Sequence, residues 1–195
     1  AVETGLVKAV EPVTHFTMDT VMGPLDVEVE IKDGVVKEVR YQNLPAYHIT
    51  KLEIDIADHG RIPFDVSACG GQYFPQFDAG KLGIEVDKVN QAGIKAFGRR
   101  VTSELLALPP IKDPETGKSI QMGQNNTNVI SLYSKQEDIN NYRIANTVAP
   151  DFMGRTPGGL PTGALMALLH GRGEYDPDKT FSNMSPVGTV FKGTG

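Results

Sequence analysis

Gly154-Arg155-Thr156-Pro157-Gly158-Gly159-Leu160-Pro161-Thr162-Gly163-Ala164-Leu165-Met166-Ala167-Leu168-Leu169-His170-Gly171 is the stretch on which the fold turns. From about Pro161 to His170 it predicts a helix, and Ala164 to Leu169 is apolar on every face. Such a helix is buried all round, so it is expected to run through the middle of the domain. Gly171 supplies its C-terminal stop. The glycines before it let backbone N–H groups approach a ligand with no Cβ in the way. A helix start also carries unsatisfied donors and the positive end of the dipole, so a carboxylate or phosphate fits near Gly158, Gly159 and Leu160. The same glycines also serve a plainer end, a tight loop into a crowded helix.

Upstream, the first eighty residues read as sheet. Leu25 to Ile31 alternates apolar and charged with period two, Asp33-Gly34 is tight-hairpin chemistry, and Val35 to Tyr41 returns as the partner strand. Further strands are expected at 46–56, 62–67 and 72–77. From Asp87, an available N-cap, Val89, Ala92, Ala96, Val101, Leu105 and Leu106 recur at near-helical spacing until Pro109-Pro110 stops them. Residues 111–126 read as a polar surface excursion. Strands resume at 129–133 and 142–148, and a short one at 187–191 closes the chain. Strands, helix, strands, helix describe an α+β domain rather than regular βαβ winding.

The 195 residues suffice for one sizeable core or two small lobes. With 19 Lys+Arg against 24 Asp+Glu, the net charge of -5 argues against a nucleic-acid binder. Cys69, the single cysteine, excludes an internal disulfide and a cysteine-based zinc cluster. No apolar run is long enough to span a bilayer and no signal peptide opens the chain, so a cytoplasmic protein is expected.

Other candidate chemistry is sparse. The spacing fits neither a P-loop nor a dinucleotide fingerprint. Gly70-Gly71 reads as a bulge, or as close approach by another backbone or a ligand. Asp65 and His59 are possible acid–base groups, but a surface histidine and a turn-capping aspartate are the better reading. Cys69 has no basic neighbour in sequence to lower its pKa and reads as a buried, inert thiol. His15, His48, His59 and His170 share no metal-ligand spacing, so no metal is expected. The sequons at Asn125 and Asn183 carry little weight without a secretory signal.

Five segments in order resemble the proline racemase family of proline racemases, hydroxyproline epimerases and trans-3-hydroxyproline dehydratases. Val2-Glu-Thr-Gly-Leu-Val-Lys-Ala9 is similar to the family's E-T-P-A-G-L-V, and Gln42-Asn-Leu-Pro45 to its N-V-P. His59 through Phe74 follows its Gly-x-(Val/Ile)-x-x-Asp…Gly-Gly pattern. Gly154 through Gly173 follows D-R-S-P-C-G-T-G-T-S-A-x-x-A-x-L-x-A-x-G without a gap, and Ser185 to Phe191 resembles S-I-(I/V)-G-(T/S)-x-F.

The resemblance implies a diaminopimelate-epimerase-like fold, with two lobes, each an antiparallel-rich sheet curled round a central helix. Residues 1–195 are expected to form a single lobe, the second. It also implies a small amino-acid or carboxylate substrate, no cofactor, and a pair of cysteines facing opposite sides of the substrate α-carbon. Gly158 occupies the second cysteine's position, Gly154 that of a substrate-contacting aspartate, and Leu160 that of the following threonine. No catalytic residue is therefore identifiable, and Gly154, Gly158, Gly159 and Leu160 remain as substrate-binding candidates. The family's first cysteine segment would lie upstream of Ala1, so a missing lobe or second chain is the expected partner, with a homodimer possible by analogy. The functions left open are racemase, epimerase or one-base dehydratase, or else an inactive carboxylate-binding or structural subunit.

Overall fold

The computed structural model describes residues 1–20 and 23–195. They divide into two compact units, Ala1–Leu44 and Pro45–Gly195, where the sequence reading takes the whole chain as one lobe. In the first unit, β1 (Val13–Thr20), β2 (Gly23–Lys32) and β3 (Val35–Tyr41) form an antiparallel sheet in that order. The expected alternation in β2 buries Val27, Val29 and Ile31 against Phe16, Leu25 and Val36. Asp33 and Gly34, at φ 56° and 73°, make the expected two-residue turn. β1 was not foreseen: its inward positions, Thr14 and Phe16, are too mixed in polarity to stand out.

The second unit runs β4 (Ala46–Ile56), β5 (Gly60–Cys69), β6 (Gln72–Asp78), α1 (Gln91–Ala107), β7 (Ile111–Lys112) and β8 (Ser119–Ile120). It continues through β9 (Ile130–Lys135), β10 (Asn141–Val148), β11 (Phe152–Met153), α2 (Gly159–Gly171), β12 (Phe181–Met184) and β13 (Val190–Gly193). The main sheet has the order β13-β12-β10-β9-β6-β5-β4, with β11 on β10. Only β6–β9 and β10–β12 are parallel among the described pairs. Each is a crossover, one containing α1 and the other α2, because parallel neighbours need a long connection. The α+β class therefore stands.

Strand alternation assigns the helices to opposite faces of the sheet. Phe64, Val66, Phe77 and Leu132 join Ile94, Phe97, Val101 and Leu105 of α1 in one core. Tyr133, Tyr142, Ile144 and Phe181 join Leu165, Leu168 and Leu169 of α2 in another. Each of those three leucines is fully buried, a gain of about 1.5–3 kcal/mol apiece. No residue from 160 to 169 is exposed, as an all-apolar helix requires, although Leu160, Pro161, Gly163, Met166 and Ala167 are only half-buried. No helix among the described residues is long and apolar enough to cross a membrane.

Several local expectations are corrected. Asp87 does not cap α1 directly; its Oδ1 accepts the Val89 and Asn90 N–H groups at 2.9 and 2.8 Å, a turn that delays the helix to Gln91. Val89 is consequently 84 % exposed, and the buried stripe is Ile94, Phe97, Gly98, Val101 and Leu105. Gly70-Gly71 is not a bulge but the turn joining β5 to β6, both residues having positive φ, and another backbone does approach closely there, Gly70 N–H donating to the Pro45 carbonyl at 3.1 Å.

Segment 111–126 is not simply a surface excursion. β7 pairs with β8, Ile120 and Met122 join the α1 core, and Asp113 is buried. The closing strand falls at Val190–Gly193 because Ser185–Gly188 is spent on a turn, Gly188 N–H donating to the Ser185 carbonyl at 3.0 Å.

Candidate functional site

The glycine-rich entry to α2 is held by side chains from β9, β10 and the turn before β13. Asn146 on β10 donates from Nδ2 to the Pro157 carbonyl at 2.7 Å and receives Ser131 Oγ–H on Oδ1 at 2.8 Å. Its own carbonyl accepts the Gly154 N–H at 2.8 Å. Thr189 Oγ1 donates to the Arg155 carbonyl at 3.0 Å and lies 2.7 Å from Ser185 Oγ. Asn183 Nδ2 donates to Thr162 Oγ1 in the first turn of the helix at 3.0 Å. Gly154, Gly158, Gly159 and Leu160 are thus brought together, all half-buried, on a loop fixed from several sides.

What this entry can do is limited by Gly158. Its φ of 75° and ψ of 137° suit glycine, and a Cβ there would meet Pro161 Cδ at 3.0 Å and Cγ at 3.1 Å. A proton-transfer group is lacking at 158, and the backbone path leaves little space for one. Pro161 has no N–H, and Thr162 N–H already bonds the Gly158 carbonyl. Anion binding by backbone and dipole is the chemistry that remains. At Gly154 the nearest atom to an added Cβ is the Thr156 carbonyl oxygen at 3.5 Å, ordinary contact.

Cys69 ends β5 with no exposed surface, packed with Phe74, Ala164 and the partly buried Leu160. Burial pushes its thiol up to about 11, in keeping with the inert reading. His59 is exposed and lies edge-on to Phe97, 5.8 Å between ring centres. His15 faces Glu28, His170 faces Tyr175, and no metal-ligating cluster occurs among the described residues. Thr127 and Asn183, parts of the two sequons, are buried.

Asp65 is not a turn cap. It is 3 % exposed in mid-β5, its Oδ1 3.0 Å from His48 Nε2 and its Oδ2 paired with Arg172 Nη2 just beyond α2. Arg172 Nη1 donates to Tyr133 Oη at 2.9 Å. Burial raises the Tyr133 phenol well above its ordinary range, against the opposing pull of Arg172. Burial works against the Arg172 charge, but Tyr133 and Asp65 outweigh it, so its pKa is raised. Sequence reasoning missed this cluster because its members come from β4, β5, β9 and the end of α2. The available signal was an aspartate flanked by Phe64 and Val66 in a mainly apolar strand.

The family model described as "Proline racemase" matches residues 1–195. The chain is 29 % identical over 195 residues to a proline racemase of Clostridioides difficile, covering 99 % of this chain and 56 % of that protein. It is 28 % identical to a 4-hydroxyproline 2-epimerase of Streptosporangium roseum, covering 98 % and 56 %. Among solved structures, it resembles a probable proline racemase from Agrobacterium radiobacter K84 with bound carbonate, with a TM-score of 0.79 and 26 % identity over 97 % of this chain and 54 % of that one. A hydroxyproline epimerase from Agrobacterium vitis with bound trans-4-hydroxy-L-proline shares the fold, with a TM-score of 0.81 and 23 % identity over 97 % and 53 %. The chain therefore spans about half the length of the relatives it matches. Matched from end to end by the family's own pattern and sharing the backbone of its solved structures, this chain belongs to the proline racemase family.

Proposed function

We propose that the entry to α2 binds the carboxylate of proline or a hydroxyproline, and that the protein takes part in cofactor-independent chemistry at the α-carbon. The carrying observation is Gly158: a glycine-rich helix start secured by Asn146 and Thr189, with backbone donors but no side chain to move a proton. On this reading the base comes from outside residues 1–195, from a further lobe or a second chain, with a homodimer as one arrangement. Residues 45–195 supply the central-helix half of a diaminopimelate-epimerase-like fold, working in the cytoplasm.

One base does not suffice for two-sided racemisation, so dehydration of a 3-hydroxyproline is the assigned reaction. The base removes the α-proton, the C–H electron pair becomes the C2=C3 bond, and hydroxide leaves C3 with a proton as water. The α2 entry stabilises the negative charge spreading onto the carboxylate as the proton departs. A general base must sit on the Cα–H line, which the α2 entry does not provide.

The test is binding of pyrrole-2-carboxylate, a planar mimic of the deprotonated ring, followed by product analysis with trans-3-hydroxyproline in deuterated water. Binding that perturbs the Gly159 and Leu160 amides, together with loss of the hydroxyl, is expected from the complete protein. Binding without turnover would leave carboxylate binding and remove the enzyme. No binding would remove both.

A further inference from the structure

We propose that the chamber beyond the C-terminal end of α2, lined by Lys51, Asp65, Gln76, Asp78, Tyr133 and Arg172, binds a small zwitterion of the α-amino acid class, separately from the α2 entry. The cavity measures about 230 Å³, room for a ligand of a few heavy atoms and less than drug-sized sites occupy. Strand register builds it: Lys51 lies opposite Asp65, Asp65 opposite Gln76, and Asp78 opposite Tyr133. These side chains therefore share the face of the sheet on which Asp65 meets Arg172.

Gln76 indicates that a ligand belongs there. It is 1 % exposed, and neither its amide nitrogen nor its amide oxygen has a hydrogen-bond partner among the described residues. Leaving a buried polar group unmet is costly, so the buried amide of Gln76 points to something that fills the gap. The neighbouring charged and polar groups already have partners within the protein: Asp65 has His48 and Arg172, Tyr133 has Arg172, and Asp78 has Lys81 at 3.5 Å. Gln76 offers an acceptor and two donors at once, and both signs of charge line the walls.

A carboxylate facing Gln76 Nε2 and Lys51, with an ammonium facing Gln76 Oε1 and Asp78, satisfies all of these together. A simple anion or cation leaves half of the amide unmet. The site does not depend on the chemistry proposed at Gly158, since it is formed by the opposite end of α2.

The experiment titrates glycine into the full ¹⁵N-labelled protein while following the Gln76 side-chain amide resonances, with acetate and methylammonium as half-ligands. Glycine should shift the Gln76 signals saturably, and each half-ligand should bind about tenfold more weakly. Gln76→Leu should weaken glycine by about tenfold or more. Should that variant fail to fold, Lys51→Ala on the exposed side of β4 should weaken glycine and acetate but spare methylammonium.

Unmoved Gln76 signals, or equal response to glycine and acetate, would overturn the proposal. So would exchange of the Gln76 amide with bound water alone. Shifts confined to Gly159, Leu160 and Thr162 would also overturn it, while leaving the α2-entry reading intact.

Discussion

Asp113, in the connection between α1 and β9, accepts the Tyr73 hydroxyl of β6 on Oδ2 at 2.7 Å. Tyr47 Oη at 2.8 Å and Thr116 Oγ1 at 2.7 Å donate to the same oxygen, and the Glu115 N–H donates to Oδ1 at 2.9 Å. Burial opposes ionisation, but the hydrogen bonds from Thr116, Tyr73, Tyr47 and the Glu115 amide outweigh it and hold the carboxyl well below the usual carboxylate range. A depressed folded-state pKa contributes stability that is present above the unfolded value, near about pH 4, and is lost as pH falls toward the folded value. Asp113→Asn should therefore destabilise the protein by about 1–3 kcal/mol in urea at neutral pH. The gap to the parent should narrow below about pH 4. A gap independent of pH would remove the assigned role of the charge.

The contact between α1 and β10 leads to a pair of opposed expectations. A Cβ at Gly98 would lie 2.9 Å from Thr147 Cβ, and Thr147 is buried with its Oγ1 unpartnered among the described residues. Alanine gains about 1 kcal/mol over glycine in a helix, but overpacking against a buried strand costs about 1–3 kcal/mol. Gly98→Ala should lower Tm despite its better helix propensity. Thr147→Val, which replaces an unsatisfied hydroxyl by a methyl of the same shape, should leave Tm unchanged or raise it. A stabilising Gly98→Ala would mean that α1 can lift off the sheet without penalty.

Much of the fold is legible locally. The β2–β3 hairpin, α2 and the stop at Pro109-Pro110 each rest on period, turn chemistry or a missing N–H, all contained within a few residues. Asp113 and Asp65 were misread because polar residues look like surface until their distant partners are known. Tyr47 and Tyr73 lie 66 and 40 residues before Asp113, and Arg172 lies 107 after Asp65. The glycine entry to α2 was legible as a possible anion site, but its dependence on Asn146 and Thr189 was not. The start of α1 was misplaced because Asp87 satisfies a turn instead of the helix itself.

Burial of Cys69 has a direct chemical consequence. With its thiol raised to about 11 and no exposed surface, very little thiolate is present or reachable at neutral pH. Reaction with iodoacetamide should be slow in the folded protein and should rise to the rate of a free thiol on adding denaturant. Slow alkylation that tracks unfolding is the expected pattern. Rapid labelling of folded protein would place the thiol in an open, activated setting and reopen a role for it at the neighbouring α2 entry.

Placing a thiol at position 158, where the proposed reading puts the family's second cysteine, is the obvious way to test whether only that group is missing, and the backbone argues that it will not succeed alone. Gly158 has φ 75°, and a Cβ there would press on Pro161 at 3.0 Å. Holding an L-residue in such a conformation costs about 1–3 kcal/mol, so the chain must either bear that strain or shift the first turn of α2. Gly158→Cys should therefore lower Tm and give no racemisation of proline. Gly158→Cys combined with Pro161→Ala should recover part of the lost stability, because the closest contacts disappear. Gly154→Asp, with 3.5 Å to its nearest neighbour, should be tolerated far better. Equal Tm for Gly158→Cys and the parent would show that the turn adapts freely, and racemisation by that variant would make the missing side chain the whole of the difference.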